Sequence, residues 1–136
     1  MKNNEFKKEY IAILTGIVEN KSGTISAPIS RKNGSIIERC IDFENGEKAI
    51  THFKLIKTKD DYSIVNFCLE TGRTHQIRVH SAYIGHPIIG DTLYGSSSEL
   101  ISRQALHAYK VSFIHPITHK KFELESEIPK DMRIFF

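Results

Sequence analysis

The segment Leu69-Glu-Thr-Gly-Arg-Thr-His-Gln-Ile-Arg-Val-His80, followed by Gly85-His-Pro-Ile-Ile-Gly-Asp91 and Tyr94-Gly95, concentrates the side chains able to do chemistry. Arg73, His75, Gln76, Arg78, His80 and His86 crowd one strand-to-helix junction and the loop beyond it. Long polar side chains are costly to hold in one geometry, so such a cluster needs either internal partners or a ligand. Arg73 falls between a strand end and a helix start, where free backbone N–H groups and the helix dipole favour an anion. A guanidinium there suits a carboxylate or phosphate gripped through two hydrogen bonds. The alternative is a structural carboxylate such as Asp91. His75, His80 and His86 lie five and six residues apart, which does not stack them on one helix face, and no cysteine accompanies them. That favours satisfied structural histidines over zinc ligands, and no metal is expected. Gly-rich phosphate loops, nucleophile elbows and paired-carboxylate patterns are absent, so a triphosphate enzyme or a hydrolase has no support.

The elements that must position this cluster follow from the flanking patterns. Tyr10–Val18 is rich in Ile, Tyr and Val and ends at the polar turn Glu19–Gly23, as a strand does. Gly23–Gly46 has few periodic positions and reads as loop, with a short strand from Ile25 to Arg31. Ala49–Lys57 and Tyr62–Glu70 read as a β-hairpin turning at Thr58–Asp61, with Ser63, Val65, Phe67 and Leu69 on one face. Thr74 as N-cap and Gly85 as stop bound a helix over His75–Ile84. On it Ile77 with Ile84 and Val79 with Tyr83 form an apolar side, and Gln76 with His80 a different one. Ala105–Ile114 and Lys121–Ser126 make a second hairpin around His115–Lys120. Strands, one helix, then strands: an α+β domain with a mixed, mostly antiparallel β-sheet and its helix packed on it.

Bulk properties are permissive. A chain of 136 residues is one domain's worth, with a net charge of +3 and a pI near 8.9, which permits a polyanionic partner without demanding one. Cys40 and Cys68 belong to no C-x-x-C pair and read as free thiols of a cytoplasmic protein. The apolar run at Tyr10–Val18 is broken by Thr15 and Gly16, lacks a small-residue cleavage site after it, and is too short to cross a bilayer.

Gly72-Arg-Thr-His-Gln-Ile-Arg-Val-His80, with Gly85-His-Pro-Ile-Ile-Gly-Asp91 and Leu93-Tyr-Gly95, closely resembles the signature of the Rlu-type pseudouridine synthases. Lys8-Glu-Tyr-Ile-Ala12 resembles that family's Lys-x-Tyr-x-Ala motif. Gly23–Arg31, Lys48–Phe53, Arg103–Ala108, Phe113–Pro116 and Ile128–Asp131 resemble further family segments, in order, so the likeness covers essentially the whole chain. The resemblance implies the pseudouridine synthase catalytic-domain fold and isomerisation of uridine in ribosomal large-subunit RNA, sometimes transfer RNA, without a cofactor. By the same resemblance Arg73 matches the arginine that holds the catalytic aspartate ionised, and an adjacent cation does lower a carboxylate's pKa. Tyr10 matches the tyrosine that packs on the extruded base, for which a ring face and a hydroxyl are apt. Ile77 matches the apolar residue lining the pocket. Arg31, Arg78 and Arg103 are candidates for RNA phosphate contacts or internal pairing.

The family's nucleophile is an aspartate in a His-Arg-Leu-Asp-x-x-Thr-Ser-Gly motif upstream of the tyrosine motif. Here the aspartates are Asp42, Asp60, Asp61, Asp91 and Asp131. Asp42 echoes the motif faintly but lies after Tyr10 and lacks the Thr-Ser-Gly. The expectation is a single incomplete domain, residues 1–136, forming the C-terminal portion of a synthase catalytic domain. Lacking its nucleophile, it is expected to be inactive alone. The alternative is a non-catalytic RNA-binding module of the same descent. An absent N-terminal part would leave Tyr10–Val18 or a neighbour with an unpaired edge, and self-association through it is expected.

Overall fold

The structure, a computed structural model, describes residues 6–136. β1 (Phe6–Thr15), β2 (Ser22–Ser26), β5 (Ile50–Lys59), β6 (Tyr62–Leu69), β7 (Leu106–Ile114) and β8 (Lys121–Glu125) form one six-stranded sheet in the order β2-β5-β6-β1-β7-β8. β3 (Ile29–Arg31) and β4 (Arg39–Ile41) pair as a separate two-stranded ribbon. Every pairing is antiparallel. The class is α+β, and no βαβ crossover is present among the described residues to make the sheet mixed.

Two expectations change. Tyr10–Val18 is not an open edge: β1 is flanked by β6 on one side and β7 on the other, and it turns away at Gly16, whose φ is +84°. The edges among the described residues are β2 and β8. The stretch 23–46 is not loop but carries β2, β3 and β4. The single strand expected over Ile25–Arg31 splits at Ala27-Pro28, because proline cannot continue a ladder as donor and the chain leaves one sheet for the other there.

Both hairpins stand where the alternation placed them. The β5–β6 loop is two residues, Asp60 and Asp61, with Lys59 opposite Tyr62. β6 is buried on both faces from Tyr62 to Val65, since the chain's end folds over the sheet. The Tyr62 ring meets Phe135 edge-on at 5.2 Å and its hydroxyl donates to the Phe135 carbonyl at 2.8 Å.

The helix α1 (Gln76–Tyr83) begins one residue later than the pattern suggested. Thr74 does not cap it; His75 occupies that position in a left-handed conformation with φ 57°. Its C-terminus closes through Gly85, φ +87°, whose N–H donates to Ala82 at 3.0 Å while His86 N–H donates to Ser81 at 3.0 Å. Those two bonds satisfy carbonyls a helix end otherwise orphans, and glycine tolerates the positive φ. Ile77 enters the main core with Phe67, Ile88 and Ile11, whereas Val79 packs with Ile29 and Ala49 under the small ribbon. One helix thus fastens the two sheets together, each buried aliphatic contributing about 1.5–3 kcal/mol.

His80 is fully buried between them. Its Nε2 lies 2.9 Å from the Ala27 carbonyl, which only accepts, so Nε2 carries the proton and Nδ1 accepts from the Thr51 hydroxyl at 2.7 Å. Burial pushes its pKa below the ordinary 6.5, the Ala27 hydrogen bond opposing only in part. The unfolded chain therefore binds a proton that the native one refuses, and stability falls as pH drops below about 6.5. We expect the melting temperature to decline through mild acid, and His80→Gln to flatten that decline while lowering stability at neutral pH. An unchanged acid slope in the variant would remove His80 as its source.

Candidate active site

A cleft of about 580 Å³ opens between the start of β1 and the β6–α1 junction, lined by Lys8, Tyr10, Leu69, Glu70, Thr71, Gly72 and Arg73. Tyr10 and Arg73, 63 positions apart in sequence (73 − 10), thus share one wall of solvent-accessible space. Tyr10 sits opposite Phe67 on β6 and Ala108 on β7. The β1–β7 register shifts between Glu9 and Tyr10, leaving Tyr109 as the extra residue of a bulge, a device that re-aims side chains beside functional sites.

Arg73 is held by its backbone and its guanidinium. Its N–H donates to Gln76 Oε1 at 2.9 Å and its carbonyl accepts from Gln76 N–H at 3.0 Å. These two bonds close the turn that leads into the helix, ahead of His75 at the N-cap position. Gln76 itself is buried, and all of its amide capacity is used. Oε1 also accepts from the Thr71 hydroxyl at 2.8 Å, while Nε2 donates to the Ile50 carbonyl at 3.0 Å and to Thr51 Oγ1 at 2.9 Å. Thr71 Oγ1 in turn accepts from Ile50 N–H at 3.0 Å. The Arg73 Nε donates to the Lys48 carbonyl at 2.7 Å, and Nη1 stands 3.5 Å from the exposed Glu47 carboxylate. The anchored Nε fixes the plane of the fork, and among the described residues one exposed carboxylate, Glu47, is near its remaining N–H groups.

No aspartate lines this cleft among the described residues. Its carboxylate, Glu70, pairs with His52. Asp42 is turned into its own loop, accepting from Glu44 N–H, Asn45 N–H and the Ser30 hydroxyl, bonds that hold its pKa below the carboxylate norm.

Other sequence candidates part company with the cleft. Ile77 is 4% exposed in the main core and does not line it. Arg78 grips Asp91 with two bonds, Nε to Oδ2 at 2.9 Å and Nη2 to Oδ1 at 2.8 Å, and lies over the Tyr94 ring at 5.1 Å. Arg103 grips Asp131 in the same way, at 2.9 and 3.0 Å, and also donates to the carbonyls of Gln104 and Leu106. Both arginines are thus internally paired. Asp91 belongs to Arg78 and not to Arg73. Burial is the largest influence on the Asp91 carboxyl and would raise its pKa; the Arg78 hydrogen bonds, backed by Tyr94 and Leu93 N–H groups, outweigh it and hold the pKa low. Arg31 is exposed, at the tip of β3.

The three histidines each have their own partner: His75 the Tyr94 hydroxyl, His80 Thr51 and Ala27, and His86 the Thr15 carbonyl. Among the described residues no three His, Cys, Asp or Glu groups converge as metal ligands. Cys40 and Cys68 are free thiols.

This geometry can be set against known proteins. The RNA pseudouridylate synthase family profile matches residues 1–83. The chain belongs to that family. A Bacillus subtilis relative described as an uncharacterized RNA pseudouridine synthase, YjbO, is 48% identical over 131 residues, covering 96% of this chain and 46% of the relative. Ribosomal large subunit pseudouridine synthase D of Zymomonas mobilis is 35% identical, covering 98% of this chain and 45% of that protein. The structure of human RNA pseudouridylate synthase domain containing 1 superposes with a TM-score of 0.78 at 29% identity, over 90% of this chain and 55% of that one. The chain spans somewhat under half the length of the curated relatives it matches.

In this chain of the RNA pseudouridylate synthase family, residue types alone did not single out two contributors, Lys8 and Thr71. Lys8 lines the cleft, two positions from Tyr10 on the same strand face. Thr71 and Gln76 position Arg73 from behind; the five-residue spacing of a threonine from a glutamine across a glycine carries no signal by itself. The Arg78–Asp91 pair, with 17% and 0% of the side chains exposed, is the charged pair that fixes the loop beyond the helix. Asp91→Asn leaves a buried guanidinium unpaired, and we expect a loss of about 3–5 kcal/mol in urea unfolding. A loss under about 1 kcal/mol would show the pair to be dispensable.

Proposed function

We propose that this chain supplies the Arg73 and Tyr10 part of an RNA pseudouridine synthase site. The shared cleft is the observation that carries it: a stacking ring and an anchored guanidinium face the same 580 Å³ of space. An extruded uracil packs on Tyr10, and Arg73 holds the nucleophilic aspartate ionised beside it. That aspartate is not among these residues and comes from the remainder of a longer synthase. Glu47 is what Arg73 meets in its absence. Isomerisation breaks the glycosidic bond, turns the base and rejoins it through carbon 5, all by rearrangement within the substrate, so no cofactor is called for. The RNA is ribosomal large-subunit RNA, the substrate class named for the Zymomonas mobilis relative, met in the cytoplasm. No helix among the described residues is long and apolar enough to cross a membrane.

The test uses a full-length synthase carrying this segment, assayed for pseudouridine by mass-shift sequencing. Arg73→Lys keeps a charge but loses the fork, and we expect turnover to slow by about two orders of magnitude or more, roughly the ~3 kcal/mol of a charged orienting contact. Tyr10→Ala should fall similarly. The chain of residues 1–136 alone should give no product. Turnover by that chain would refute the assignment of the aspartate to another segment.

Self-association belongs at β8 instead of β1. Backbone bonds from His115 N–H to Lys120 and from Ser126 N–H to Tyr109 set the phase of the β7–β8 ladder. Residues 122 and 124 bond inward to β7, so Lys121, Glu123 and Glu125 turn their backbone groups outward. A second copy paired antiparallel about Glu123 puts each Lys121 opposite a Glu125 and each exposed Phe122 opposite a Leu124, contacts that outweigh the two Glu123 carboxylates facing each other at the centre. In sedimentation, Lys121→Glu should dissolve the dimer and the double swap Lys121→Glu with Glu125→Lys should restore it. A wild-type monomer at every concentration would end this reading.

A further inference from the structure

A second, smaller cleft of about 220 Å³ abuts the first, lined by Ile29, Ser30, Arg31, Arg39, Glu47, Arg73 and Thr74. Arg73 lines both. Three guanidinium groups and one carboxylate give this small space a formal charge of +2 (three positive, one negative).

The placement of Arg31 and Arg39 works against the isolated fold. They stand directly opposite each other in the β3–β4 ribbon, and like charges in facing positions of an antiparallel pair are destabilising. The one carboxylate among the cleft's described residues, Glu47, stands against Arg73 and leaves them uncompensated. The ribbon's Glu38 is taken by Lys32 at 3.1 Å, and among the described residues neither Arg31 nor Arg39 forms an ion pair. Arg39 is held at Nη1 by the carbonyls of Ile36 and Ile37, at 3.4 and 3.1 Å, which leaves the rest of its fork unused. Its backbone N–H is anchored on the Tyr94 hydroxyl at 2.9 Å, and that hydroxyl also meets His75 Nδ1 at 2.7 Å. The ribbon is thereby pinned to the start of α1, so the cleft is a fixed feature of the fold and not the chance meeting of two loops.

We propose that this cleft is a phosphodiester subsite: Arg31 and Arg39, with Arg73 on the shared wall and the Thr74 hydroxyl beside them, hold a backbone phosphate of the RNA strand next to the extruded nucleotide. It rests on the reading of the chain as an RNA-modifying protein and adds the residues that grip the strand. One bound phosphate relieves the Arg31–Arg39 repulsion and, through Arg73, ties strand binding to the neighbouring cleft. The ligand is the backbone and not a base edge, so the contact positions the strand without reading its sequence.

The opposed arginines give the test two independent readouts. The chain is titrated with a fluorescein-labelled, uridine-containing stem-loop RNA over a salt series, and its melting temperature is measured without RNA. Arg39→Ala and Arg31→Ala should each weaken binding about tenfold or more at low salt and make the slope of log K against log salt shallower by roughly 0.7–0.9. The same substitutions should leave the melting temperature unchanged or higher, because they remove a like-charge pair. Arg39→Lys keeps the charge and should preserve the slope with a smaller loss of affinity. Lys120→Ala, on the distant β7–β8 turn, is the control and should bind as the parent does. If the parent chain shows no salt-sensitive binding, the RNA reading itself fails. If the parent binds while Arg31→Ala and Arg39→Ala leave affinity and slope unchanged, the subsite alone is overturned. An equal loss in the Lys120 control also overturns it, by assigning the effect to overall charge.

Discussion

The side chain of Gln76 is the constraint on which the rest of the site depends. Buried, with both N–H groups and both lone pairs engaged, it extends the order of the β5–β6 ladder into the turn that carries Arg73. Through Thr71 and the Arg73 backbone it sets the chain between β6 and α1; through Ile50 and Thr51 it ties that turn to β5. Thr51 passes the constraint on to His80 and from there to Ala27, where the chain crosses from the large sheet to the small ribbon. A buried polar network offsets its desolvation only if every member is satisfied, and here each donor finds an acceptor. The guanidinium of Arg73 inherits its position from that network and from the Lys48 carbonyl.

The arginines of this chain sort by what they meet. Arg78 and Arg103 each close a two-bond fork on an aspartate, and both pairs pin a loop to its neighbours. Arg31, Arg39 and Arg73 converge instead on open space with one exposed carboxylate among them. Fork-to-carboxylate geometry satisfies a guanidinium, and a satisfied one has little left to offer a ligand. Two adjoining clefts that share Arg73 as a wall therefore form a single charged surface, with an aromatic ring at one end and opposed guanidinium groups at the other.

Much of this was legible in the sequence, and the parts that were not have physical reasons. The β5–β6 and β7–β8 hairpins, and the helix stopped by Gly85, follow from alternation, turn residues and a positive-φ glycine, all of which act locally. The start of the helix was misplaced by one residue because a threonine is the usual cap, whereas here His75 takes the cap position in a left-handed conformation and the Gln76 side chain reaches back past it to the Arg73 N–H. The unpaired edge was expected at Tyr10–Val18 or a neighbour, and β1 lies inside the sheet because pairing partners are set by long-range contacts that no window of sequence contains. Arg73 was legible from its place at a helix start and Tyr10 through family resemblance, and their common cleft emerges only from the three-dimensional arrangement. Arg39 carried no signal, since its importance lies in facing Arg31 across a ribbon that the sequence presented as loop.

The central claim is that Tyr10 and Arg73 serve one RNA nucleotide from the cleft they share. The most direct measurement is an NMR titration of the isotopically labelled chain with a uridine-containing RNA, following the Tyr10 ring and the Arg73 Nε–H resonances. The account predicts that both move, the Tyr10 ring protons upfield as a base stacks on them, and that both follow one saturation curve. RNA binding that leaves these two signals in place while shifting residues elsewhere would contradict it.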